Sequence, residues 1–120
     1  MTDHDGIRRT LAQYCLLFNS KKWDEQGKVF STDASLTSRR GTVAGRAAVT
    51  RDLMGAMSEQ YHGTLFNSGA VITVDGESAT AISDFLEVED NKILGVGTYT
   101  DVLAKSVDAW LIVRREIRLK

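Results

Sequence analysis

The order of the periodicities limits this chain more than any other feature. Helical spacing of apolar residues fills the first half, and from residue 62 onward everything reads as strands. The β-rich runs 62 to 74, 77 to 89, 93 to 104 and 108 to 119 are separated by Asp75-Gly76, Asp90-Asn91 and Ser106-Val107-Asp108, turn chemistry that joins antiparallel neighbours into a meander. Upstream, Ile7, Leu11, Tyr14, Cys15 and Phe18 repeat at helical spacing and predict a helix over 5 to 19, with Asp3 and Asp5 at its positive end. Trp23, Gly27 and Phe30 predict a short second helix over 22 to 30. Ala48, Leu53, Met54 and Met57 predict a third over 46 to 60. Between these, 34 to 38 and 41 to 44 flank Arg39-Arg40 and read as two short strands. Helices first and strands afterwards is the α+β order, in which the helices cover one face of the sheet.

A chain of 120 residues is of single-domain size and buries roughly two-thirds of its unfolded surface, so one domain over 1 to 120 is expected. Lys and Arg total 15 against 16 Asp and Glu, a net charge of -1, which offers no field to gather phosphates and argues against nucleic acid as a partner. The polar, acidic start is unlike a signal peptide, and no apolar run nears the roughly 18 residues of a membrane span. A cytoplasmic location without membrane contact is the expectation. The single cysteine, Cys15, sits in an apolar helical pattern and reads as a buried thiol. No His, Cys and Asp cluster has metal-ligand spacing. Gly95-x-Gly97 lacks the helix and third glycine of a dinucleotide site, so no cofactor and no metal are expected.

Several short motifs fall in order along the chain: Tyr14-x4-Asn19-x3-Trp23-Asp24, Phe30-x2-Asp33-Ala34, Gly45-Arg46, His62, Val74-Asp75-Gly76-x2-Ala79, Gly97-x-Tyr99-x-Asp101 and the ending Trp110 to Arg115. Together they resemble the SnoaL-like branch of the nuclear transport factor 2-like superfamily. The resemblance implies a cystatin-like cone, with three N-terminal helices on a curved, mainly antiparallel sheet around a hydrophobic pocket, commonly dimerising through the sheet. Members include polyketide cyclases, ketosteroid isomerases and dehydratases as well as non-catalytic modules, so fold leaves function open.

Counting by twos from His62 gives Thr64, Phe66, Ser68, Ala70, Ile72 and Val74, the more apolar face and the one expected to point inward. On the next strand Asp84 shares a face with Ile82, Leu86 and Val88, a carboxylate in apolar company that needs a partner. His62 is that expected partner. The pair reads either as a general-base dyad or as a satisfied structural pair. Tyr14 is a core ring whose phenol can also donate to a substrate oxygen. In dehydratase-like relatives a Tyr at this helix position works with an acid five residues on and a His at the start of the long strand. Tyr14 and His62 match, whereas the acid position is Asn19, and the position of the isomerase carboxylate is Ser38. Asn19, Trp23, Phe66, Tyr99, Asp101 and Arg114 are the further residues expected to meet the ligand. For Asp101 this rests on the pocket carboxylate of the cyclases. Of Arg114 and Arg115, one is expected to pair with a strand carboxylate. The function these readings support is proton transfer beside the carbonyl of a small hydrophobic substrate, in a cyclase, isomerase or dehydratase. The alternative is a non-catalytic ligand-binding or dimerisation module.

Overall fold

A computed structural model describes residues 1–55 and 63–120. Helix α1 spans Asp3–Asn19, two residues earlier than its apolar spacing predicts, because the Thr2 hydroxyl accepts from the Asp5 amide at 3.1 Å and so caps the first turn. Ile7, Leu11, Tyr14 and Phe18 are buried on one face, as their spacing requires. Gly6 lets this face approach the sheet, since a Cβ there would lie 3.0 Å from the Trp110 ring. Thr10 completes the attachment by donating to the Trp110 carbonyl at 2.6 Å. Helix α2 covers only Trp23–Gly27. Phe30, expected at the end of that helix, instead opens strand β1, Phe30–Ser38, which turns into β2, Gly41–Ala44. Helix α3 runs Arg46–Gly55, fastened where the Arg46 guanidinium donates twice to the Phe30 carbonyl, at 2.6 and 3.0 Å. The rest of the expected third helix and the start of the first long strand, with His62, lie outside the described residues.

Strands β3 (Thr64–Asn67), β4 (Val71–Asp75), β5 (Ser78–Glu89), β6 (Lys92–Lys105) and β7 (Trp110–Leu119) follow. Successive pairs from β4 to β7 are antiparallel, as the turn signals predict, and β1 adds to β7 in parallel. The result is a curved, mixed seven-stranded sheet in the order β2-β1-β7-β6-β5-β3, with β4 also on β5. The buried core lies between its concave face and α1 and α3. No helix among the described residues is long and apolar enough to cross a membrane.

Three slips in register decide which side chains face inward. The expected strand over 62 to 74 is two strands, because residues 68–70 span the interval that Ser83 and Asp84 occupy on β5. Each residue reverses the side of the next, so an extra one flips the whole downstream face. Ile72 and Val74 therefore pack against the core as expected, whereas Thr64 and Phe66 point outward and Leu65 is buried instead. Between β5 and β6, Glu87 faces Gly95 while Val88 faces Ile93, which leaves Leu94 unopposed. Between β6 and β7, Val102 faces Arg114 while Leu103 faces Ile112, which leaves Val113 unopposed.

Candidate functional site

The concave face of β5 carries Ala79, Ala81, Ser83, Phe85 and Glu87, and not the set of Ile82, Asp84, Leu86 and Val88 expected from apolarity. Small residues at the closed end leave room for Tyr14, Tyr99 and Arg115. Toward the other end Phe85 and Glu87 border a cavity of about 220 Å³. Its wall is completed by Tyr14 and Phe18 from α1, Ser38 from β1, Leu53 from α3, Leu94, Gly95 and Tyr99 from β6, and Ile117 and Leu119 from β7, with Arg39 and Arg40 from the turn between β1 and β2. Phe85 stacks on Tyr99 with ring centroids 4.4 Å apart and planes at 16°. This stacking depends on Gly97, because a Cβ there would lie 2.5 Å from Phe85 Cε1 and 2.6 Å from the Arg118 carbonyl oxygen.

Beneath the cavity lies a fully buried ion pair. Arg115 Nε donates to Asp101 Oδ1 at 2.7 Å and Arg115 Nη2 to Asp101 Oδ2 at 2.9 Å, both side chains 0% exposed. The guanidinium carbon stands 4.2 Å from the Tyr14 ring centroid and 3.9 Å from that of Tyr99. Burial opposes the charge of Arg115, but the charge and hydrogen bonds of Asp101 outweigh it and hold the group above its ordinary range. Burial pushes both phenols up, Tyr99 furthest, and Arg115 only partly offsets this. Both phenols are thus neutral hydrogen-bond donors at ordinary pH. The charge of Glu87 reinforces that state in each.

The residues named from the sequence separate into those the fold gathers here and those it does not. Tyr14 and Tyr99 line the cavity. Asp101 faces inward, but both its oxygens are occupied by Arg115. Asp84 is corrected outright: its side chain is 55% exposed on the outer face, where Oδ1 accepts from Thr98 at 2.8 Å and Oδ2 pairs with Lys120 at 3.3 Å. Those two partners lower its pKa, so it is an ordinary surface carboxylate. Phe66 is 57% exposed on the same outer side. Arg114 also points outward, because the slip at Val113 turns Arg115 inward in its place; Arg115 is the arginine that pairs.

Asn19 does structural work outside the cavity. Its amide accepts from the Leu65 N–H at 2.8 Å and donates to the Leu65 carbonyl at 3.0 Å, pairing the sheet edge as a neighbouring strand would. Cys15 adds a contact to the same carbonyl at 3.0 Å, and burial pushes its thiol up, away from reactivity. Trp23 packs edge-on against Phe18 at 5.7 Å and is not among the residues around the cavity.

Glu87 is the residue the sequence reading missed. Its signal lay across the strand pair, since Gly97, Tyr99, Asp101 and Leu103 read as one inward face, and their partners Phe85, Ser83, Ala81 and Ala79 share Glu87's parity. A two-residue turn at Asp90-Asn91 without the Leu94 slip would have put Asp84 on that face instead.

At least four other hollows, of about 330 to 760 Å³, are larger than this cavity, and two of them bear comparison with it. One of about 530 Å³ lies between the start of α1 and the turn before Trp110, where Lys105 and Asp3 already pair at 2.9 Å. The other, about 760 Å³, is an open groove between α1 and β3 lined by Leu16 and Phe66. Among the described residues no group of three His, Cys, Asp or Glu side chains is placed to hold a metal ion.

Comparison with known proteins agrees with this architecture. A protein of unknown function from Mycobacterium tuberculosis, Rv3472, solved as a point variant, is 27% identical with a TM-score of 0.86, over 95% of this chain and 69% of that one. An NTF2-like protein with a cystatin-like fold from Novosphingobium aromaticivorans is 24% identical with a TM-score of 0.85, over 98% of this chain and 81% of that one. A candidate scytalone dehydratase from the same organism is 23% identical with a TM-score of 0.80, over 100% of this chain and 89% of that one. No curated protein matches the chain. The model of the SnoaL-like domain matches residues 1–116, and the chain therefore belongs to the SnoaL-like family, with the NTF2-like, cystatin-like α+β fold.

Proposed function

We propose that this protein is a small-molecule enzyme of the isomerase, cyclase or dehydratase kind, which moves a proton beside the carbonyl of a compact hydrophobic substrate held in the cone. The observation that carries this reading is the meeting of one carboxylate, Glu87, with two buried neutral phenols, Tyr14 and Tyr99, around a single cavity with aromatic walls. A carboxylate facing such a cavity can take a proton from carbon next to a carbonyl. Neutral phenols can donate to the oxygen as negative charge develops there. A volume of about 220 Å³ suits a molecule of about one substituted ring. His62, read from the sequence as a proton carrier, enters as a second candidate base. Asp84 has no part in the site.

Ligand-induced melting shifts over small cyclic ketones, enones and hydroxy acids, with products followed by mass spectrometry, test the reading in wild type, Glu87→Gln and His62→Ala. The expectation is a ligand that stabilises all three and is converted by wild type, with turnover falling by about 100-fold or more in Glu87→Gln. Unchanged turnover in Glu87→Gln would remove it as the base, and loss confined to His62→Ala would move that role to His62. Binding without conversion by any of the three would favour the non-catalytic binding module.

A further inference from the structure

The mechanism above uses the faces of Tyr14 and Tyr99 that border the cavity and leaves unexplained what lies behind them. A fully buried arginine with a single carboxylate partner is costly, because removing two charges from water is repaid only where every donor is satisfied. Here one is not: Arg115 Nη1 is buried with no hydrogen-bond partner. Two apolar residues would fill the same space with less penalty. The guanidinium is instead wedged between two rings set at 76° to one another, with contact on both faces of the wedge. Asp101 fixes it through a bidentate fork on the neighbouring strand, so its plane cannot turn without breaking both bonds.

We propose that Arg115 is the positioning residue of the cavity: anchored by Asp101, it sets the orientation of Tyr14 and Tyr99 and supplies the fixed positive charge that lets their phenols hold a substrate oxyanion. The deduction rests on the reading of the cavity as an oxyanion-holding site. The charge stands about 4 Å from each ring among fully buried groups, where its field is little screened by solvent. Three charged groups bear on the two phenols from the packed elements, Arg115 on β7, Asp101 on β6 and Glu87 on β5, and Tyr14 bears on Tyr99 as well. Arg115 is the only cation among them, and its effect opposes those of the two carboxylates.

The test needs no ligand, so it can fail without the functional reading failing, and the reverse. The chain has three tyrosines, Tyr14, Tyr61 and Tyr99. They are replaced biosynthetically by difluorotyrosine, which ionises at lower pH, and their fluorine resonances are assigned with single Tyr→Phe variants and titrated. In Asp101→Asn the cation is unopposed, and the Tyr14 and Tyr99 titrations move to lower pH. In the double variant Arg115→Met, Asp101→Leu, an apolar pair of similar volume that keeps the core filled, both move to higher pH by about one unit. Free difluorotyrosine in the same buffers serves as the reference. A folded double variant whose Tyr14 and Tyr99 titrations match wild type would overturn the proposal, as would an upward shift in Asp101→Asn. If turnover is found, the double variant should lose kcat with KM nearly unchanged, whereas a purely structural pair would leave kcat of the folded double variant in place.

Discussion

At the scale of single residues, the chemistry of this chain depends on which side of a strand a carboxylate occupies. Asp84 and Glu87 lie three positions apart on β5, and three is an odd number of steps, so one must face out when the other faces in. Apolar content points to Ile82, Leu86 and Val88 as the core stripe. The actual inner face holds Ala79, Ala81 and Ser83, small because Tyr14, Tyr99 and Arg115 fill the space above them. Hydrophobicity misleads where bulky neighbours require small partners. The helical face was legible because Ile7, Leu11, Tyr14 and Phe18 keep one unbroken period. The buried phenols make a prediction of their own. Their folded pKa values exceed that of an unfolded tyrosine, so the folded chain keeps protons that the unfolded chain releases above about pH 10. Their contribution to stability is complete below that pH and is lost as pH rises through the folded values. Urea midpoints measured from pH 8 to 11.5 should fall less steeply above pH 10 in the Tyr14→Phe, Tyr99→Phe variant than in wild type; equal slopes would contradict the assigned burial.

At the scale of elements, the turns were readable and the slips were not. Asp75-Gly76 and Asp90-Asn91 place the hairpins correctly, with Asp90, Asn91 and Gly76 at positive φ as such turns require. An extra residue in mid-strand, such as Leu94 or Val113, leaves no such mark, yet it reverses every side chain beyond it. Gly97 shows how tightly the elements meet at the site, since the Phe85 ring occupies the place of its absent side chain. Gly97→Ala should lower stability by about 1–3 kcal/mol, read from denaturant midpoints, and displace the Phe85 ring from Tyr99. An unchanged midpoint would mean that Phe85 has another resting place. Asn19, expected at the ligand, proves to be an element-scale device: an amide that pairs the backbone of β3 and keeps α1 against the sheet edge.

At the scale of the whole molecule, the two sides of the sheet differ in character. Its concave side encloses the cavity, and its outer side carries an apolar row in which Phe66 opposes Leu86 and Leu86 opposes Val96. Phe66 is 57% and Val96 37% exposed, and Val71 and Ile82 extend the patch. A dimer of the kind the family resemblance implies would use this face. Sedimentation should give twice the 13.2 kDa of the chain for wild type and a shift toward monomer for Phe66→Glu with Val96→Glu; a wild-type monomer at high micromolar concentration would exclude it.

In the proposed mode of binding the ligand enters the cone at Glu87 and Tyr99, away from Asp84. Titrating the labelled protein with the best-stabilising compound of the panel, while following backbone amide and tyrosine resonances, tests this most directly. Shifts are expected to concentrate at Tyr14, Phe85, Glu87, Gly95 and Tyr99, which line the cavity. Shifts confined to Asp84, Thr98 and Lys120 on the outer face, or to the groove beside Leu16 and Phe66, would contradict that mode of binding.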